Sequence, residues 1–248
     1  MSTYVYGIAD ADHPSLPEGM EGLGSPALTV RIVKGGGLAA IVSDAPDNLR
    51  PKRRDLLAHQ NVLSEAGGGG TVLPMRFGSV AEDDAAVATA LEERVSHYRE
   101  RLAALRDRVE YNVKVQHEEE AVLRTVMAEN DDVRALALRN RDAGGGSHED
   151  KLQLGEAVAK AVQAREAHDG ALVRATLEPQ ADAVSEGPES TGWISNLSFL
   201  VDRGSSERLL GAIEEIRKSA PHLVFRVNGP LPPYSFVEET PATSVTSG

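Results

Sequence analysis

Alternating apolar positions open the chain. Residues 3 to 9 place Tyr4, Tyr6 and Ile8 on one face and Val5 and Ala9 on the other, the two-residue period of a strand. Residues 10 to 27 lose that pattern and read as a Pro/Gly/Asp-rich loop around Pro14, Pro17 and Pro26. Residues 28 to 34 and 38 to 43 are expected strands joined by Gly35-Gly36-Gly37, a hairpin connection because glycine enters positive φ at little cost. Residues 51 to 66 read as a helix with proline near its start and an apolar stripe of Leu56, Leu57, Val62 and Leu63. The run Gly67 to Gly70 ends it. Residues 71 to 78 form a short strand broken by Pro74, which lies at an edge or leaves the sheet there.

Helical spacing then takes over. Ser79 with Glu82 three residues on is a capping-box pattern. The apolar positions Val87, Leu91, Val95, Tyr98, Leu102, Leu105 and Val109 follow at spacings of 4, 4, 3, 4, 3 and 4. They predict one helix of roughly 28 residues, about 42 Å long, which must bridge two bodies or pack along a neighbour. Residues 109 to 115 alternate as a strand. Helices are expected over 118 to 129 and 132 to 141, with Asn130-Asp131 as break and cap. After the joint Gly144-Gly145-Gly146-Ser147, an Ala-rich helix runs to Leu177 on Leu154, Val158, Val162 and Leu172. A strand over 181 to 187 and a stronger one over 194 to 201 follow, the latter with Leu197, Phe199 and Val201 opposite Asn196, Ser198 and Asp202. A helix over 206 to 219 turns Leu209, Leu210, Ile213 and Ile216 inward, and 223 to 227 is the last strand.

The resulting order from residue 109 is a ferredoxin-like βαββαβ plan with extra helices after its first strand. The expected class is α+β in two domains. Residues 1–107 form a small mixed α/β sheet domain ending in the long helix, and 108–237 a modified ferredoxin-like domain with inserted helices. Residues 238–248 lack apolar pattern and are expected to be a disordered tail. Ahead of that tail, Gly229-Pro-Leu-Pro-Pro-Tyr-Ser-Phe-Val237 loses three backbone donors to proline and must lie extended on a surface. Tyr234 and Phe236 are expected to pin it back onto its own ferredoxin-like domain.

Composition narrows the chemistry. The 248 residues carry 38 acidic and 26 basic side chains, a formal charge of −12, which disfavours a nucleic-acid partner. No cysteine is present, so disulfides, thiolate metal sites and cysteine nucleophiles are excluded. The start has no basic, apolar signal segment, and no window approaches ~18 uninterrupted apolar residues. A cytoplasmic protein without a membrane span is the expectation.

Gly22-Leu-Gly24-Ser-Pro-Ala27 has the letters of a dinucleotide fingerprint in the wrong context, because a strand and not a helix follows. The glycine runs at 35, 67 and 144 lack the Lys-Ser/Thr of a phosphate loop and read as turns or linkers. No cofactor is expected. The seven histidines show no metal-ligating i, i+4 pair. Acids 118 to 120 beside His117 suit a helix N-terminus better than a metal. His59 has no evident Ser or Asp partner, so packing or hydrogen bonding is its expected role, and no catalytic residue is assigned. Glu92-Glu93 and Asp83-Asp84 read as solvated helix face. Arg76-Phe77 at a strand exit has two readings, a carboxylate clamp or interface stack and simple pairing with a nearby acid. Trp193, the single tryptophan, suits core packing first and an interface second.

Seven segments in order resemble the gas vesicle protein L/F family. They are Tyr4-Val-Tyr-Gly-Ile-Ala9, Leu38-Ala-Ala-Ile-Val-Ser43, His59-Gln-Asn-Val-Leu63, Val72-Leu-Pro-Met-Arg-Phe-Gly-Ser-Val80, Val109-Glu-Tyr-Asn-Val-Lys-Val115, Asn196-Leu-Ser-Phe-Leu-Val201 and the proline exit. Leu231 and Tyr111 stand where the family is expected to have tryptophan. The resemblance implies two α+β domains and a non-enzymatic accessory role in gas vesicle assembly. It also implies association with the vesicle, contact with the small hydrophobic shell protein, and work alongside other gas vesicle accessory proteins. Arg76, Phe77, Tyr98, Trp193, Tyr234 and Phe236 are the candidate partner-binding residues. The rival expectation is an RNA- or ligand-binding ferredoxin-like module without catalytic activity, with Phe199 and Phe225 as its sheet aromatics.

Overall fold

A computed structural model describes residues 1–14, 16–188 and 192–238. The expected tail beyond residue 238 lies outside them. The chain divides into two compact units. One comprises residues 1–110 with the segment that starts at Gly229, and the other residues 111–228. The proline exit is therefore grouped with the first unit and not, as its place in the sequence suggested, with the ferredoxin-like one.

The first unit holds strands β1 (Thr3–Asp10), β2 (Glu21–Gly24), β3 (Ala27–Thr29), β4 (Arg31–Gly35) and β5 (Leu38–Asp44). It continues with helix α1 (Arg53–Gly69), the two-residue strands β6 (Leu73–Pro74) and β7 (Val80–Ala81), and helices α2 (Asp84–Glu93) and α3 (Val95–Ala104). The main sheet runs β4-β5-β1-β6, with β7 also on β1. β1 is antiparallel to both β5 and β6, and Pro74 falls at the edge where its missing donor does no harm. Helices contact both faces, α1 on β1 and α2 on β4 and β5. Both central strands are accordingly buried along nearly their whole length.

Local sequence misjudged this unit in four places. The pairing of β1 with β5 shifts between Val5 and Gly7, leaving Tyr6 as an extra residue. The bulge changes the strand's parity, so Ala9, and not Ile8, joins Tyr4 and Tyr6 in the cluster with Leu23, Ile41, Val62 and Leu63. Second, the 10–27 loop contains β2, which pairs with β3, and the single strand expected over 28 to 34 is divided between β3 and β4. A side chain at Gly22 would meet the Tyr6 hydroxyl at 2.1 Å, so glycine is what lets β2 come so near.

Third, the long helix is two helices that meet at Arg94 (φ −114°, ψ 21°), and its cap is Asp83, whose carboxylate accepts from Ala86 N. The break falls where the β4–β5 turn lies against the helices. A Cβ on Gly35 would stand 2.6 Å from Ala88 O, and one on Gly36 would stand 3.3 Å from Glu92 Cα. Asp84 is also not merely solvated, because Thr3 Oγ1 (2.6 Å) and Arg31 (2.8 and 3.0 Å) hold it. The Arg31 bond first, and the Thr3 bond second, keep its carboxyl below the usual carboxylate range. Fourth, α1 continues through Gly69 and buries Asp55, His59, Val62, Leu63 and Ala66, which turns Leu56 and Leu57 outward.

The second unit contains all but the first three residues of β8 (Arg108–His117), then α4 (Glu119–Glu129), α5 (Asp131–Asp142), α6 (His148–Leu177), β9 (Ala183–Glu186), β10 (Ser195–Asp202), α7 (Ser206–Ser219) and all but the last three residues of β11 (Leu223–Leu231). Its sheet order is β11-β8-β10-β9, that is fourth-first-third-second, the arrangement of the βαββαβ plan. Asn130 caps α5, and Ser147 with Asp150 makes a reciprocal capping box for α6. Val122, Val126 and Val133 pack with Leu154, Val158 and Val162, so the inserted helices have a small core of their own. Only Asp169, Val173 and Leu177 of α6 are buried, and Leu172 is 38% exposed, against the expected stripe.

Candidate functional site

His59 is the hub of the first unit's polar interior. Its Nε2 lies 3.1 Å from Met75 O, a carbonyl that can only accept, so Nε2 carries the proton. Nδ1 is then an acceptor and takes the Tyr4 hydroxyl proton at 2.8 Å, while the Tyr4 oxygen accepts from Gly78 N at 3.2 Å. Burial lowers the His59 pKa, the Met75 bond opposing it, and burial likewise raises that of Tyr4. With both ring nitrogens engaged and 4% of its surface exposed, His59 has no free position for general-base work. Its effect is to fix the 75–78 segment against β1 and α1. The expected packing and hydrogen-bonding role matches this geometry.

Two of the predicted site residues converge there. Phe77 lies edge-on to His59 at 5.9 Å between ring centroids, and Tyr234 lies 6.3 Å away at 32°. Tyr6 stacks on the same imidazole at 5.6 Å and 27°. The Leu73–Ser79 stretch and the proline exit, both singled out in the sequence, thus meet at one histidine.

The exit is fastened by polar contacts as well. Ser235 donates from N and Oγ to the two Glu110 carboxylate oxygens, each at 2.8 Å. Arg101 donates to Val237 O at 3.0 Å and Phe236 O at 2.9 Å. Prolines 232 and 233 offer no donors, and the arginine satisfies carbonyls that no strand partner takes. Phe236 is buried, at 4% exposure. Glu110 and Arg101 were not legible beforehand, because they lie 125 and 135 residues from the groups they hold.

The other candidates stand apart. Arg76 meets Glu238 at 3.4 Å with 86% and 79% of the two side chains exposed, a pair of little energetic weight. Tyr98 is half-buried on α3 under Arg94, 5.8 Å from its ring centroid. Trp193, in the second unit, is half-buried between Arg226 (5.2 Å) and Lys114 (5.7 Å), a cation–π arrangement and not a core position. Phe199 and Phe225 are interior, so neither offers a ring for a base to stack on. No helix among the described residues is long and apolar enough to cross a membrane.

A sequence profile described as "Gas vesicle synthesis protein GvpL/GvpF" matches residues 2–238. Gas vesicle protein F of Streptomyces sp. (strain CB03234) is 60% identical over 96% of this chain and 100% of its own length. Gas vesicle protein L of the same strain is 29% identical over 94% and 91%. The crystal structure of the gas vesicle protein GvpF from Anabaena sp. PCC7120 superimposes with a TM-score of 0.74 at 27% identity, covering 96% of this chain and 99% of that one. GvpF from Microcystis aeruginosa, at 22% identity and a TM-score of 0.70, shares the fold. With the profile matched from residue 2 to residue 238 and a relative 60% identical over nearly the whole length, the chain belongs to the GvpL/GvpF family of gas vesicle synthesis proteins.

Proposed function

We propose that this protein is a non-enzymatic accessory factor that binds the small hydrophobic shell protein of gas vesicles and shields its apolar surface during assembly. A gas vesicle accessory role follows from the family, and the reading is carried by the extent of that match, from residue 2 to residue 238. Two features support the finer step. Leu56 and Leu57 project from α1 at 43% and 48% exposure, an adjacent apolar pair suited to an apolar partner. On the first unit the exposed Arg76 and the half-exposed ring of Tyr98, and separately on the second unit the half-exposed ring of Trp193, are large amphipathic side chains of the kind that dominate interfaces. Phe77, Tyr234 and Phe236 serve instead to hold the 75–78 segment and the proline exit in place.

Co-expression of the tagged chain with the shell protein, followed by pulldown, tests the proposal. Retention of the shell protein is expected, and Leu56→Lys with Leu57→Lys should reduce it while hydrogen exchange in β1 stays as in the wild type. Absence of retention, together with normal vesicles in a deletion strain, would sink it.

A further inference from the structure

Three side chains from distant parts of the second unit meet on one oxygen. His117 ends β8, Asp169 lies in the buried half of α6, and His222 immediately precedes β11. The Nε2 atoms of His117 and His222 stand 2.9 and 2.8 Å from Asp169 Oδ2. Arg165, one turn earlier on α6, directs Nε to the same oxygen at 2.9 Å. The side chains of His117, His222 and Asp169 are 8%, 6% and 0% exposed. Their ligand-capable atoms all lie within 4.8 Å of one another.

The hydrogen bonding of this group does not balance. Oδ2 faces three nitrogens, whereas Oδ1 is buried with no partner among the described residues, and so is His117 Nδ1. His222 Nε2 also lies 3.2 Å from Arg165 Nη2. A guanidinium can only donate. If it donates to Nε2, that nitrogen and Oδ2 face each other at 2.8 Å with no proton between them. If Nε2 carries a proton, it confronts the donor Nη2. One contact is unmatched in either tautomer, whereas a cation between the nitrogen and oxygen lone pairs, with Arg165 withdrawn, would resolve the opposition between His222 Nε2 and Asp169 Oδ2.

We propose that His117, Asp169 and His222 form a binding site for a divalent d-block cation of the zinc type. The ligands are the two Nε2 atoms and the Asp169 carboxylate, and Arg165 is a displaceable cation that holds the carboxylate when metal is absent. Two imidazoles and a carboxylate are a common donor set for such ions, and a chain without cysteine has no thiolate alternative. Ligands about 2.0 Å from a tetrahedral metal stand about 3.3 Å apart, so the His–Asp contacts need to open by only a few tenths of an ångström. Asp169 Oδ1 is available as a second carboxylate oxygen. An open cavity of about 390 Å³, lined in part by Glu129, Ala161, Arg165 and His168, lies against Arg165, the side chain the metal would displace. Glu129, 59% exposed, already takes Arg165 Nη1 at 2.5 Å and can hold the guanidinium once the metal displaces it. The bound ion would tie the end of β8, the middle of α6 and the approach to β11 together. Arg165 and the metal compete for one carboxylate, so the arginine limits affinity.

The test uses the untagged full-length chain, stripped with chelator and titrated with Co(II) as a spectroscopic probe, then with Zn(II). One equivalent should produce the visible d–d absorption of a low-coordinate Co(II) complex, and Zn(II) should abolish it and raise Tm. His117→Ala and His222→Ala should weaken binding at least about tenfold. Arg165→Gln keeps all three ligands and should bind more tightly than the wild type, with a larger rise in Tm on Zn(II). The proposal is overturned by no saturable d–d absorption in either the wild type or Arg165→Gln. It is equally overturned by histidine variants that bind as well as the wild type, which would place the ion on surface carboxylates. If the histidine variants fail to fold, Arg165→Gln decides, and binding no tighter than wild type overturns the assignment.

Discussion

Replacing Tyr4 by phenylalanine removes one oxygen and two hydrogen bonds, the one donated to His59 Nδ1 and the one accepted from Gly78 N. The ring itself still fits, so packing is nearly unchanged. Gly78 is exposed and its amide can turn to water. His59 Nδ1 has no such recourse, since Tyr4 is 0% and His59 4% exposed. An orphaned buried acceptor costs about 1–3 kcal/mol, and because the site is closed to water the upper part of that range, about 2–3 kcal/mol, applies here. That is about 30- to 150-fold in an opening equilibrium. Hydrogen exchange followed by mass spectrometry, over peptides covering residues 3–10 and 71–80, should show acceleration of that order. His59→Ala breaks the same bond from the other side, so the two substitutions should be coupled by about 1 kcal/mol or more in a double-mutant cycle. Exchange in Tyr4→Phe within threefold of the wild type, or free energies for the pair that simply add, would refute the proton assignment and the hub built on it.

Two further outcomes follow from the same unit. Burial lowers the His59 pKa from its ordinary 6.5, so just below that pH the unfolded chain takes up a proton that the folded chain refuses. Stability should be flat in this respect above pH 6.5 and should fall as pH drops from 6.5 toward the folded value; urea midpoints from pH 5 to 8 should show a shallower slope in His59→Gln, and parallel slopes would contradict the assignment. Phe236→Ala should cost about 3–5 kcal/mol because the ring is 4% exposed; a loss below about 1 kcal/mol in urea unfolding would mean that the exit is only a surface strap.

Much of the fold was legible because hydrophobic period is a local signal. Strands β1, β5, β8 and β10, helices α1 and α4 to α7, and the βαββαβ order can each be read from runs of under about thirty residues. What failed were statements about partners. The stripe assigned to α1 contained Leu56 and Leu57 because they are leucines, yet the helix buries Asp55 and His59 instead, since Tyr4 and Met75 supply the polar atoms His59 needs. Val87, Leu91, Leu102 and Leu105 are buried as their spacing predicts, but the helical run ends at Ala104, Val109 belongs to β8, and the turn at Gly35 and Gly36 coincides with the break at Arg94. Of the candidate residues, Phe77 and Tyr234 come together at His59, a meeting point that was not visible in the sequence.

By itself, the sequence determined most of the element types, the βαββαβ succession of the second unit, the absence of thiol chemistry and, through seven segments, the family. Tertiary structure decided the rest. It decided which unit receives the exit, which tautomer His59 adopts, and that His117, Asp169 and His222 share a site. The last three residues are 52 and 53 positions apart, and no periodicity connects them. Periodicity specifies the face a residue presents. Only the folded chain specifies what lies across from it, and for buried polar groups that partner sets both protonation and role.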